Sequence, residues 1–214
     1  MNTTIKPGTY ADIAGVSYLI IFIAAIFANF FVIESLINDP LTVVRQQHYL
    51  VRAGIIAFLL TVVFDVIIAW ALYVLFKGNA LSLLSALFRI MHAAIMAVAI
   101  FSLPAVLTSN TADQILAHVN TFNTIWLIGL FFFGIHLIIM ANIIGKPKII
   151  AVLLATAGTM YMVDTGAHFL FPDYEAYSEI FLMLVAIPGI LGEMSFAIWL
   201  ITKGRKYSSQ NETA

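Results

Sequence analysis

Long apolar runs separated by short polar breaks dominate the chain, and their length predicts its elements. A bilayer core of about 30 Å is crossed by about 20 residues of helix. Six runs meet that requirement: about Ile13 to Ile33, Ala53 to Phe76, Ala80 to Leu107, Thr121 to Ile144, Ile149 to Phe171 and Ile180 to Ile201. Each is a continuous stretch rich in Leu, Ile, Phe and Ala. The strands of a membrane barrel would instead alternate over roughly ten residues, so helices are expected. The first run is longer than the ~7–15 residues of a secretory signal core and lacks a clear small-residue cleavage site. It reads as a retained membrane helix.

The breaks agree with this division. Gly145-Lys146-Pro147 is a tight turn between spans four and five, and Pro172-Asp173 closes span five. Thr111 followed by Gln114 forms a capping-box pattern, which starts the fourth helix near Ala112, ahead of the bilayer core. The longest connection, Leu36 to Leu50, has room for a short amphipathic helix after Asn38-Asp39-Pro40. The expected architecture is all-α, a polytopic bundle of six transmembrane helices. Residues 1–206 form one membrane domain, and residues 207–214 form a short polar tail expected to be disordered.

Composition fixes the solvent. Hydrophobic residues make up 62% of the 214 and charged residues 10%. Soluble domains carry about 45–50% and about 25%. Mean hydropathy is +1.02. A soluble enzyme and a disordered chain are excluded. With 10 basic and 11 acidic residues, no cationic footprint exists for a nucleic acid. The absence of cysteine removes disulfides, thiolate catalysis and Cys-ligated metals. The main partner is a lipid bilayer.

Loop charges set an expected orientation. Lys6, Lys77, Lys146, Lys148, Lys203, Arg205 and Lys206 fall on one side, and only Arg45 and Arg52 on the other. Both termini are therefore expected in the cytoplasm. The opposite face is acidic, with Asp39, Asp113, Asp173, Glu175 and Glu179. Tyr73, Trp199 and Tyr207 count to the inner interface, and Trp126, Tyr174 and Tyr177 to the outer one. Each of these aromatics is read first as an ordinary packing or lipid-facing residue.

The candidate chemistry lies inside the spans. Counted at about 1.5 Å per residue, His136, Arg89 and Glu193 fall roughly 12–14 Å from the inner edge, and Asp65 and His92 roughly 16–18 Å. Ionisable groups are costly there, about 2.5–3.5 kcal/mol for Arg or Asp on insertion scales, so they should turn inward and meet. Arg89 and His92 share a helix face, and Asp65 and Glu193 are the available partners for Arg89. Two carboxylates against one guanidinium leave one uncompensated negative charge. A proton on Asp65, Glu193 or a histidine relieves it, as does a bound cation. Farther out, Tyr161, Asp164 and His168 form a stripe on the fifth helix that, with Glu34 and Asn29, is expected to line a path from the outer surface.

Several readings stay open. The centre can be a structural ion-pair network with no chemistry, in which Arg89 and one carboxylate fix helix packing and backbone carbonyls or Ser85 satisfy His92 and His136. It can bind a small molecule, lipid, proton or cation, as in ion- or proton-coupled binding or transport. It can be an intramembrane metalloenzyme using His92, His136, Glu193 or Asp65 on zinc or iron, or hold haem between His92 and His136. In the binding reading, Asp65 and Glu193 share a proton or ligate, and Arg89 compensates charge or holds an anionic head group. His92 and His136 then ligate or relay protons. No His-Glu-x-x-His or Glu-x-x-His motif is present. A Ser85–His92 pair for acyl transfer has no supporting motif. Pro188-Gly189, with Gly192 beside Glu193, predicts a kink in the sixth helix or a packing groove for a neighbour.

The layout also resembles a known family. Its marks run from Ala14-Gly15 through Phe30-Phe31, Glu34, Arg52, Asp65 and Phe88-Arg89-x-x-His92. They continue through Gly134-x-His136-Leu137 and Gly158-x-x-Tyr161-x-x-Asp164 to Pro188-Gly189-x-x-Gly192-Glu193. This is similar to the bacterial integral-membrane family catalogued as domain-of-unknown-function four-three-eight-six, from about Tyr10 to Gly204. The resemblance implies a multi-pass protein of the bacterial cell (inner) membrane and no particular activity.

Overall fold

The computed structural model describes the backbone of residues 7–211 and the side chains of residues 8–204. Lys6, Glu212, Thr213 and Ala214, and the side chains of Arg205, Lys206 and Tyr207, lie outside what is described. The described residues are helical, without strands. The first span is a single rod made of α1 (Pro7–Ile26), a π-helical segment (Phe27–Ile33) and α2 (Glu34–Asn38). A short α3 (Pro40–Gln46) follows, capped by the Asp39 side chain, which accepts from the Thr42 N–H. This is the small helix expected in the long outer connection. The other spans are α4 (His48–Leu75), α5 (Ser82–Ile100) with its short extension α6 (Leu103–Val106), α7 (Ala112–Ile144), α8 (Lys148–Leu170) and α9 (Ser178–Asn211). A 3₁₀ turn, Tyr174–Tyr177, leads into α9.

Six of these rods are long and apolar enough to cross a membrane. The first, second, fourth and sixth overrun the hydropathy limits, because polar residues cap and extend them. α4 starts at His48 rather than near Ala53, and α7 starts at Ala112, where its capping pattern puts it, ahead of the apolar run. The third span breaks at Phe101-Ser102 before Pro104, whose ring cannot continue an α-helix without loss of a backbone bond. One expectation needs correction. The backbone stays helical to Asn211, since no Gly or Pro follows Gly204, so the tail expected from Tyr207 begins as helix. α9 is continuous through Pro188, and Gly192 lies against α8 as a packing groove would have it, with a Cβ there 3.1 Å from the Leu153 backbone.

The start of α7 follows its cap. Thr111 Oγ1 accepts from the Gln114 N–H at 3.3 Å, and Gln114 Oε1 accepts from the Asn110 N–H at 3.1 Å. The glutamine reaches one residue beyond the Thr111 N–H of the standard box. Thr111→Ala should cost about 1 kcal/mol, read as a lower melting temperature in detergent, and Thr111→Ser should be neutral.

Neighbours in sequence are neighbours in space. α1 packs on α4, α4 on α5, α5 on α7, α7 on α8, α8 on α9, and α9 returns to α1. The six spans therefore close a ring. Two apolar cores fill it. The core toward the Lys77, Gly145 and Gly204 end includes Ala14, Leu72, Leu137, Leu154 and Phe196. The core toward the other end includes Val32, Leu36, Val43, Phe58, Ile100 and Phe122. Trp126 packs on Phe58 and Phe122, and Trp199 on Phe196, so both serve packing. α7 and α8 approach closest at Gly134 and Gly158, where a Cβ on either would strike the other's carbonyl oxygen.

Candidate functional site

Between the two cores lies a polar layer to which each of the six spans contributes. Arg89, on α5, is its centre and is 1% exposed. Its Nη2 donates to Asp65 Oδ1 of α4 at 2.6 Å. Its Nη1 donates to Tyr18 Oη of α1 at 2.6 Å and to His136 Nε2 of α7 at 3.2 Å. The guanidinium carbon also sits 4.6 Å from the Tyr18 ring centre and 5.1 Å from that of Phe133. Arg89 Nε has no partner among the described residues.

These bonds assign the imidazole tautomers. A guanidinium only donates, so His136 Nε2 accepts and Nδ1 carries the hydrogen. That hydrogen is directed to Ser85, whose carbonyl oxygen lies 3.0 Å and hydroxyl 2.9 Å away. His136 is therefore neutral, with both nitrogens engaged. His92 is different. Its Nδ1 lies 2.9 Å from the Gly129 carbonyl oxygen, which only accepts, so Nδ1 carries the hydrogen. Its Nε2 then faces Asp65 Oδ2 at 3.6 Å. With neither protonated, two acceptors oppose each other in a buried space. One proton between them makes an ion pair.

The sixth and fifth spans close the layer. Glu193 Oε1 of α9 accepts from the Tyr161 hydroxyl of α8 at 3.3 Å. Both side chains are only partly buried, whereas Asp65, Arg89, His92 and His136 are buried. Glu193 forms no ion pair among the described residues. Its position opposite Tyr161 depends on Gly189, one turn away, where a Cβ would lie 3.0 Å from the Tyr161 hydroxyl. Farther out, Asp164 accepts from the Tyr174 hydroxyl at 2.7 Å, and the His168 ring meets Tyr174 edge-on with centres 4.8 Å apart.

The structure thus brings Asp65, Arg89, His92 and His136 together and joins Tyr161 to Glu193. Of its two expected partners Arg89 takes Asp65, while Glu193 bonds Tyr161. Ser85 bonds His136 and the Gly129 carbonyl bonds His92, as the structural reading has it, and the Ser85–His92 pair does not form. One expectation changes. Glu34 stands apart from the α8 stripe. It is exposed and accepts from Asn38 on its own helix, one turn on. Asn29 likewise bonds its own helix, at the Ala25 carbonyl. Tyr18 was missing from the expected centre, because span one carries no charge inside it. The signal was Ser17-Tyr18, two adjacent polar residues in the inner half of an apolar run, and both are buried.

The metal and haem readings find a poor donor set. Among the described residues no three His, Asp or Glu side chains gather to hold an ion. His136 has no free nitrogen, and its Nε2 faces a guanidinium. Both imidazoles pack on Phe133, with ring centres 4.8 and 5.7 Å from it.

A multi-pass helical bundle with a buried ionic centre is the class that this fold defines. The chain belongs to the family described as Domain of unknown function (DUF4386), which matches residues 13–204. It is also similar to an uncharacterized protein of the archaeon Archaeoglobus fulgidus, 30% identical over 161 residues, which cover 72% of this chain and 86% of that one. That relative is archaeal and lends no support to the bacterial source implied by the resemblance. No solved structure matches.

Proposed function

We propose that the protein binds and releases a proton at its central layer, and that this proton drives the binding or transport of a small molecule or ion. The observation that carries the reading is the opposition of His92 Nε2 and Asp65 Oδ2 at 3.6 Å, with His92 Nδ1 already committed to Gly129. Charge counting supports it. Asp65 and Glu193 bring two negative charges and Arg89 one positive, so a single proton brings the layer to neutrality. Burial favours that neutral state over the alternatives. The proton is shared between the His92–Asp65 gap and Glu193, while His136 and Tyr18 hold the guanidinium in place. The α8 stripe of Tyr161, Asp164 and His168, with Tyr174, offers protonatable groups toward the acidic end of the bundle. Loop charges support a topology with both termini at the cytoplasmic face of the cell membrane.

The test is proton counting. Purified protein in lipid nanodiscs, taken through a pH jump, should take up a proton that vanishes in Asp65→Asn and in Glu193→Gln. His92→Gln, which cannot be protonated, should shift its midpoint. Difference infrared spectra should show a carboxyl band that titrates with it. Uptake unchanged in all three variants would overturn the reading and leave a structural ion pair.

A further inference from the structure

The ring of helices is closed unevenly between its first and last members. Close approaches between α1 and α9 run from Ala11 against Gly204, through Gly15 against Ala197 and Ile201, to the Tyr18 and Phe196 rings at 5.8 Å. All lie toward the basic end. Past Tyr18 the seam changes. From Leu19 to Phe27 no residue is buried, and the π-helical segment beyond packs on α4. On α9, from Ser178 to Leu191, only Val185 and Gly189 are buried. On α9 the face that meets α1 at Gly204, Ile201 and Ala197 continues outward as Ile190 and Met183, and both are exposed; on α1 the face of Ala11 and Gly15 continues as Leu19, Phe22 and Ile26, none of them buried. The outer half of this seam is thus an apolar cleft that opens sideways to acyl chains. At its foot stand Glu193 and Tyr161, partly exposed, and Glu193 Oε2 has no hydrogen-bond partner among the described residues.

We propose that this cleft admits a lipophilic cation from the outer half of the membrane, and that its positive charge replaces the exchangeable proton beside Glu193. The inference rests on the proton-binding reading and names what competes with the proton. Charge complementarity selects the ligand class. The layer carries one negative charge in excess, and its only guanidinium is already bonded to Asp65, Tyr18 and His136. An anionic head would add to the excess. A neutral one would leave it. A cation removes it, and Tyr161, bonded to Glu193 through its hydroxyl, sets an aromatic ring beside the same charge. The apolar walls require a hydrophobic body on that cation, since Leu19 to Ala28 and Ile180 to Leu191 carry no polar side chain. Exchange is balanced: one cation enters and one proton leaves, so the layer stays neutral in both states.

The probe is dodecyltrimethylammonium carrying a benzophenone on its tail, added to the full-length protein in phosphatidylcholine nanodiscs. Its fixed charge neither gives nor takes a proton. In weakly buffered medium, binding should release about one proton per probe bound, as linkage at a single site requires. The release should disappear in Glu193→Gln, return in Glu193→Asp, and persist in Glu34→Gln. The Glu193→Asp arm separates lost chemistry from lost folding. A neutral dodecanol carrying the same tag should neither release a proton nor compete. On illumination the label should fall on residues 19–31 and 178–191. If no proton is released while the carboxyl band of Glu193 still titrates, the cation exchange is wrong and the proton-binding reading stands. If neither responds, both fall. Label spread evenly over every lipid-facing helix, or competed equally by the alcohol, would overturn the cleft as the route.

Discussion

Arg89→Ala should destabilise the purified protein by about 3–5 kcal/mol, the typical cost of removing one member of a buried ion pair. The variant leaves Asp65 charged in a space where it is 4% exposed. It also strips Tyr18 and His136 of the donor that fixes them. The comparison that gives this loss its meaning is the double variant Arg89→Met with Asp65→Leu. Replacing a buried pair by apolar residues of similar volume is often neutral or stabilising. The double variant should therefore recover most of the stability lost by either single one. Unfolding in detergent, followed by circular dichroism, measures all three. If the double variant is as unstable as Arg89→Ala, the layer is required for folding beyond its charge balance. If it is stable but takes up no proton, the layer is kept for its chemistry. The second outcome is expected.

The six spans and their order were legible because lipid imposes a simple rule. Every backbone group in the membrane must be satisfied within its own helix, so apolar length alone identifies a span. The helix ends were less legible where no cap marks them, because polar residues such as His48 extend the rods beyond the apolar runs. The central layer was legible for the same energetic reason. Asp65, Arg89, His92, His136 and Glu193 are costly in hydrocarbon, and all but Glu193 are buried. What the sequence could not show was who bonds whom. Depth counting placed Glu193 level with Arg89 and Asp65 a little farther out, and only the ring order, with α4 and α5 adjacent, gives the place of ion-pair partner to Asp65. Tyr18 escaped notice because a phenol in a membrane helix is cheap and common. Glu34 was misplaced because a count along a helix fixes depth but leaves the facing direction free. The lateral cleft was invisible for a related reason. Met183 and Ile190 look the same in sequence whether they face a neighbouring helix or a lipid.

Gly158→Leu should have the second largest effect, and it should divide the polar layer in two. At Gly158 a side chain has no room, since even a Cβ would collide with the Gly134 carbonyl oxygen and lie 2.9 Å from Ile138 Cγ1. Small residues at such crossings let membrane helices approach closely. A leucine there must push α8 away from α7. Tyr161 sits less than one turn along α8, so the displacement should break its 3.3 Å bond to Glu193. The Arg89 bonds lie on α1, α4, α5 and α7, away from α8, and should survive. The predicted variant is destabilised, yet its Asp65–Arg89 coupling in a double-mutant cycle is unchanged while the carboxyl band of Glu193 shifts. Gly166→Ala is the matched control. Nothing lies within 4 Å of its added Cβ, and alanine favours helix, so its stability should hold or rise. A Gly158→Leu protein that melts like the original would mean that α7 and α8 do not approach as described. Equal loss of coupling at Arg89 and at Glu193 would mean that the layer is one unit, in which proton and cation cannot be exchanged at Glu193 alone.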